Sequence, residues 1–112
     1  GCGLFDEPEM QLGPLDDLKA EGHWIHEFNG DLIFTAINTN GQPYTLSLIC
    51  SHKQCTVEYF PEQTQFICPC HKGEYTKSGE VMSGKPPKPL RQFKTEIREG
   101  SVWVLNAFER DW

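Results

Sequence analysis

Between positions 50 and 71 the chain reads Cys50-Ser51-His52-Lys53-Gln54-Cys55, then twelve residues, then Cys68-Pro69-Cys70-His71. The pattern is C-x-H-x2-C-x12-C-x-C-H, and it holds four of the five cysteines. Each half offers one cysteine and one histidine at ligand spacing, plus one further cysteine. Cys50 and His52 are two apart on a tight loop, so both can face one side. Cys68 and His71 are three apart, with Pro69 stiffening the turn. Two thiolates and two imidazoles suit zinc or an iron–sulfur cluster. A Cys2His2 zinc site leaves Cys55 and Cys70 without a role. Their symmetric placement, one in each half, suggests a disulfide tying two loops that have little core beneath them.

The remainder of the chain limits what can surround such a site. At 112 residues it is one domain's worth, able to bury roughly two-thirds of its unfolded surface. A net charge of −6 leaves no basic patch for nucleic acid and disfavours docking on anionic lipid. A basic protein partner fits the charge better. No apolar run reaches the ~18 residues that would span a bilayer. The chain opens Gly1-Cys2-Gly3 with neither Met nor a signal-peptide core. Gly1-Cys2 matches the end of a cut bacterial lipoprotein signal, in which Cys2 would carry a lipid anchor. The plainer alternative is a truncated start.

Residues 1–22 hold Pro8, Gly13, Pro14 and Asp16-Asp17 and sustain no period, so an irregular arm or tether is expected there, with one helical turn at most around residues 14–18. From His23 onward short strands alternate with turn signals. The expected strands are His23–Phe28, Asp31–Asn38, Tyr44–Ile49, Thr56–Phe60, Gln65–Ile67, Gln92–Arg98 and Ser101–Asn106. Asn29-Gly30 is a two-residue hairpin signal, Asn40-Gly41 marks a second turn, and Glu99-Gly100 a closing hairpin. The stretch 84–89, Gly-Lys-Pro-Pro-Lys-Pro, forms a stiff extended loop. With no helical period and no repeats, the fold class is all-β, built from short antiparallel strands.

Over about residues 44–106 the chain resembles the Rieske iron–sulfur proteins, specifically the disulfide-containing type found in the Rieske subunits of quinol–cytochrome c oxidoreductases. The resemblance implies a Rieske fold, with a Rieske domain over 23–112 made of a base domain and a small cluster-binding subdomain of two loops at about 49–76. It implies one [2Fe–2S] cluster, with Cys50 and Cys68 on one iron and His52 and His71 on the other. Cys55 and Cys70 match the disulfide pair. Residues 84–89 match the proline loop that covers the third side of the cluster, and Tyr75 matches a tyrosine whose hydroxyl bonds a cluster-ligand sulfur. His71 is the ring expected to meet a quinol hydroxyl.

Formal charge explains the paired histidines. Two ferric ions, two sulfides, two thiolates and two neutral imidazoles sum to zero, whereas the same core with four thiolates sums to −2. An electron enters the neutral centre at lower Coulomb cost, so the potential lies above that of plant-type ferredoxins. Oxidation also lowers the imidazole pKa values, so electron and proton transfer can be coupled.

The sequence departs from high-potential members of the family in two places. Gly73 stands where a serine hydroxyl bonds a bridging sulfide, and losing that donor lowers the potential. Lys53 and Lys72 act oppositely, by about 0.5–1 kcal/mol each after screening. The balance predicts a mid-range potential suited to a low-potential quinol such as menaquinol. Lys53-Gln54 also replaces an apolar Leu-Gly tip.

The expected partners are a c-type cytochrome and a cytochrome b-like quinol-oxidising subunit, at the outer, periplasmic face of a bacterial cytoplasmic membrane, where a disulfide persists. Alternatives are a free Rieske carrier, the small subunit of another periplasmic oxidoreductase such as an arsenite oxidase, and a structural zinc module. His23 and His26 read as ordinary edge histidines. Tyr59, Phe60, Trp103 and Phe108 read as packing residues, and Asp111-Trp112 as a plain terminus.

Overall fold

The computed structural model describes residues 7–51, 55–70, 72–83 and 88–112. The chain runs through β1 (Glu9–Pro14), α1 (Leu15–Glu21), β2 (His23–Phe28), β3 (Asp31–Ile37), β4 (Pro43–Ser47), β5 (Glu58–Phe60), β6 (Gln65–Ile67), β7 (Glu74–Thr76), β8 (Val81–Ser83), β9 (Gln92–Arg98) and β10 (Ser101–Arg110). These build two antiparallel sheets, a larger one ordered β1-β10-β9-β4-β3-β2 and a smaller one ordered β5-β6-β7-β8. The expected all-β class and its base-plus-subdomain plan are both present.

The topology isolates the smaller sheet. Strands β4 and β9 are neighbours in the larger sheet, with Thr45 opposite Phe93 and Leu46 opposite Gln92. The intervening residues 48–91 leave between these adjacent strands and return to them. The smaller sheet and the Cys/His segment are therefore a single insertion into the base.

Turn chemistry sets the register of the base. Asn29 and Gly30 take φ of 52° and 89°, the doubly left-handed turn that matches strand twist, and they close β2 on β3 with Phe28 opposite Asp31. Glu99 and Gly100 take φ of 51° and 80° and close β9 on β10, with Arg98 opposite Ser101.

Both faces of the central strands are covered. Phe34, Ala36, Tyr44, Leu46 and Leu48 pack against Val57, Phe66, Tyr75 and Leu90 of the insertion, together with Cys50 and Cys68. On the opposite face Phe28, Ile33, Phe93 and Val104 gather Met10, Leu12 and Phe108. Thr35 and Thr45 are also buried. Their hydroxyls lie 3.1 Å apart, and Thr95 Oγ1 donates to Thr45 Oγ1 at 3.0 Å. The chain of hydroxyls satisfies polar groups that burial would otherwise penalise.

The N-terminal segment corrects the expectation of an irregular arm at 1–22. Residues 1–6 lie outside the described residues, but β1 pairs with β10 from Glu9 opposite Leu105 to Pro14 opposite Ser101. The register shifts between Gln11 and Gly13, so side-chain alternation loses its phase and no period of two shows. Pro14 is tolerated because it ends an edge strand. Helix α1 has seven residues, more than the single turn expected, with Asp16 and Asp17 in its first turn and Leu18 buried. The acidic first turn complements the helix dipole, and Gly22 N–H closes the end on Leu18 O at 2.9 Å. Two turns are too short for a helical period to be read. The three-residue strands β7 and β8 were likewise not expected from the sequence.

Candidate metal centre

Two loops converge at one end of the insertion, and their main-chain closures are alike. The first leaves the base through an isolated bridge, Ile49 opposite Thr56, with Val57 N donating to Leu48 O at 2.7 Å. Within it Cys50 N donates to Cys55 O at 2.8 Å. The second joins β6 to β7, and there Cys68 N donates to Gly73 O at 2.8 Å. In both loops a buried cysteine closes on the carbonyl five residues ahead, so the two are built as counterparts. The second is tightened by Lys72 N donating to Cys68 O at 2.8 Å, with Lys72 at φ 59°.

A Cys55–Cys70 disulfide staples the loops together, with Cα atoms 6.4 Å apart. The pairing expected from the sequence is the one observed. Cys50 and Cys68 stand outside that bond, and both are fully buried. The sulfurs of Cys55, Cys68 and Cys70 lie within 4.8 Å of one another, but two of them are bonded together and give no thiolate. Among the described residues, the cysteine sulfurs of this end outside the disulfide are those of Cys50 and Cys68.

Tyr75, on β7, is fully buried, and its hydroxyl donates to Cys50 Sγ at 3.4 Å. Burial, followed by the hydrogen bond to Cys50, pushes the phenol well above the usual tyrosine range. It stays protonated and serves the sulfur as a donor. As thiolates, these two buried sulfurs would need a cation to balance them, and an O–H aimed at one of them is the kind of support that metal-bound thiolates receive. The residues present fit a metal–sulfur group.

Other expected residues are placed as follows. His52, Lys53, Gln54 and His71 lie outside the described residues, as do 84–87 of the proline stretch. Of that stretch, Lys88 and Pro89 are described, and Ser51 Oγ, next to Cys50, donates to Lys88 O at 3.4 Å. Lys88, near the end of that stretch, thus reaches the first loop. Gly73 is buried and contributes its carbonyl. His23 is half-buried, stacked on Phe34 at 5.3 Å and edge-on to Tyr59 at 4.9 Å. Desolvation first, then Lys77, holds its pKa below the ordinary histidine value, and desolvation lowers that of His26. Phe60 is 37% exposed rather than packed. Trp112 is more than a terminus, since its Nε1 donates to Pro89 O at 3.0 Å. No sequence signal marks Ser51, Arg110 or Trp112.

A cleft of about 770 Å³ lies elsewhere, lined by residues such as Tyr44, Lys77, Glu80 and Arg110. None of the expected site residues lines it. Among the described residues no helix is long and apolar enough to cross a membrane.

The family described as the Rieske [2Fe–2S] domain matches residues 7–94. The cytochrome b6-f complex iron–sulfur subunit of Chlorobaculum tepidum is 34% identical over 99 residues, covering 88% of this chain and 54% of that protein. The menaquinol:cytochrome c reductase iron–sulfur subunit of Geobacillus thermodenitrificans is 36% identical over 97 residues, covering 83% and 57%. The chain spans about half the length of these relatives. Among solved structures, the cyanobacterial plasma membrane Rieske protein PetC3 from Synechocystis PCC 6803 superposes with a TM-score of 0.73 at 26% identity, covering 85% of this chain and 97% of that one.

Proposed function

The chain belongs to the Rieske [2Fe–2S] domain family, and on that premise we propose that it is the electron-transfer domain of a membrane-bound quinol-oxidising complex. We assign Cys50 and Cys68 to one iron and His52 and His71 to the other, within a cluster-binding part at 49–76. The observation that carries this reading is the pair of buried sulfurs outside the disulfide, one of them held by the Tyr75 hydroxyl.

When bound, the cluster accepts and returns one electron at a time. The chain's residues do the rest. Cys50 and Cys68 supply the charge that leaves the oxidised centre neutral. The Tyr75 hydroxyl stabilises negative charge on Cys50 Sγ and so favours reduction. The disulfide holds the two loops at fixed separation. In this reading His71 takes the proton of a quinol hydroxyl on a ring nitrogen, and His52 completes the ligand set.

Partners follow from the same reading. The donor is a low-potential quinol held by a cytochrome b-like subunit, and the acceptor is a c-type cytochrome, at the outer face of the membrane. The relatives named as subunits of a cytochrome b6-f complex and of a menaquinol:cytochrome c reductase support this. Iron and acid-labile sulfide analysis tests the premise, with two irons and two sulfides per chain expected. One zinc and no sulfide would overturn it. Reduction by a menaquinol analogue in the presence of the cognate cytochrome b subunit tests the partner assignment.

A further inference from the structure

Three consecutive main-chain carbonyls, the last two of the proline stretch and that of Leu90, are each taken by a different side chain. Lys88 O accepts from Ser51 Oγ at 3.4 Å, and Pro89 O from Trp112 Nε1 at 3.0 Å. Leu90 O accepts from both Arg110 Nε and NH2, at 3.0 and 2.8 Å. Residues 88–91 belong to no strand, and Pro89 has no N–H to offer a ladder. Side chains therefore take the carbonyls of residues 88–90 that a neighbouring strand takes elsewhere.

The guanidinium is used almost completely. Besides Leu90 O, its NH2 donates to Ser78 O at 3.1 Å and its NH1 to Glu80 Oε1 at 2.8 Å. It sits so closely on the turn before β8 that a Cβ at Gly79, which has φ of +86°, would meet Arg110 NH2 at 2.8 Å. Leu90 N closes the same junction on Gly79 O at 2.9 Å. The Trp112 ring is itself held, with the Arg91 guanidinium 4.0 Å above it.

We infer that Arg110 and Trp112 are positioning residues for the cluster site, latching residues 88–90 beside the first cysteine loop through Ser51. Both lie past residue 94, where the family match ends. The contact path runs from Arg110 and Trp112 to the carbonyls of Leu90 and Pro89, along the chain to Lys88, and from Lys88 O to Ser51, the neighbour of Cys50. The Leu90 side chain packs fully buried in the core that holds Cys50 and Cys68. Releasing the latch changes water access and dipole orientation beside the first loop, and both tune a cluster's potential.

The inference rests on the Rieske reading, and the test separates the two. Trp112→Phe removes one N–H and keeps a ring for Arg91. Arg110→Lys keeps the charge and loses the forked donation. Iron-loaded wild type, both variants, Ser51→Ala and a control, Arg98→Ala, are compared. Arg98 pairs with Glu9 and Glu96 at the opposite end of β9. In both latch variants we expect wild-type iron content, roughly tenfold faster exchange of the Leu90 amide that closes on Gly79 O, and altered midpoint potential and EPR g-values. Ser51→Ala reproduces the shift, and Arg98→Ala does not. Iron-loaded latch variants with wild-type potential and g-values overturn the inference alone, leaving Arg110 and Trp112 as fasteners of a strand end. A wild-type chain that binds no iron overturns the Rieske reading and the inference with it.

Discussion

The Tyr75 hydroxyl donates to Cys50 Sγ at 3.4 Å, joining a residue of the smaller sheet to the first cysteine loop. Tyr75 pairs with Phe66 on β6, and Phe66 packs edge-on against Phe34 of the base at 4.8 Å. The donor is thus fixed by the core shared between base and insertion.

Replacing Tyr75 by Phe removes this donor while keeping the ring. A hydrogen bond to a charged group is worth about 1.5–3 kcal/mol. If about half of that distinguishes the reduced from the oxidised state, the midpoint potential falls by roughly 60 mV, which is tenfold in a one-electron equilibrium. Iron content stays at the wild-type level. Protein-film voltammetry of the two proteins measures the difference, and an unchanged potential would remove Tyr75 from the site.

The disulfide closes a loop with a sequence separation of 15, for which the chain-entropy model gives about 3 kcal/mol. Cys55→Ser, Cys70→Ser and the double variant are each expected to lose about that much stability in denaturant titration. They are expected to release iron faster on warming, since the staple between the loops is gone. Cys50→Ser or Cys68→Ser instead removes a ligand, and the expected result is a folded chain that accumulates little or no cluster.

Stability depends on pH through His23 and His26. Burial lowers both pKa values from the ordinary histidine value. The unfolded chain therefore binds protons in a range where the folded one does not. The resulting stability is fully present above about pH 6.5 and is lost as pH falls through the depressed folded values. The thermal midpoint should drop between pH 7.5 and pH 5. Replacing both histidines by Gln should flatten that slope. An equal slope in the variant would show that the two rings do not carry it.

The legible parts of the sequence were those in which local chemistry alone decides. Asn29-Gly30 and Glu99-Gly100 need no tertiary context to make left-handed turns, and β6 and β9 stand where their alternation placed them. The Cys55–Cys70 disulfide was legible from the symmetric placement of the two cysteines. Strand β1 was hidden because the shift at Gln11/Gly13 breaks the alternation, and α1 because seven residues cannot display a period. The two faces of β3 and β4 are both covered because the insertion packs on one of them, which strand patterning cannot foresee. The hold of Arg110 and Trp112 on the carbonyls of residues 88–90 has no sequence signature, since a main-chain acceptor can belong to any residue. His52 and His71 lie outside the described residues, and their ligand roles rest on spacing and family.

The central claim is a cluster held by two cysteines and two histidines, and a pH-dependent redox titration followed by visible circular dichroism tests it most directly. The account predicts a reversible one-electron couple that falls as pH rises above neutrality, as titratable imidazole ligands require. Because Gly73 offers no side-chain donor, its midpoint should lie well below the roughly +300 mV at the top of the Rieske range. A colourless protein, or a pH-independent couple near the roughly −400 mV of four-thiolate ferredoxins, would contradict it.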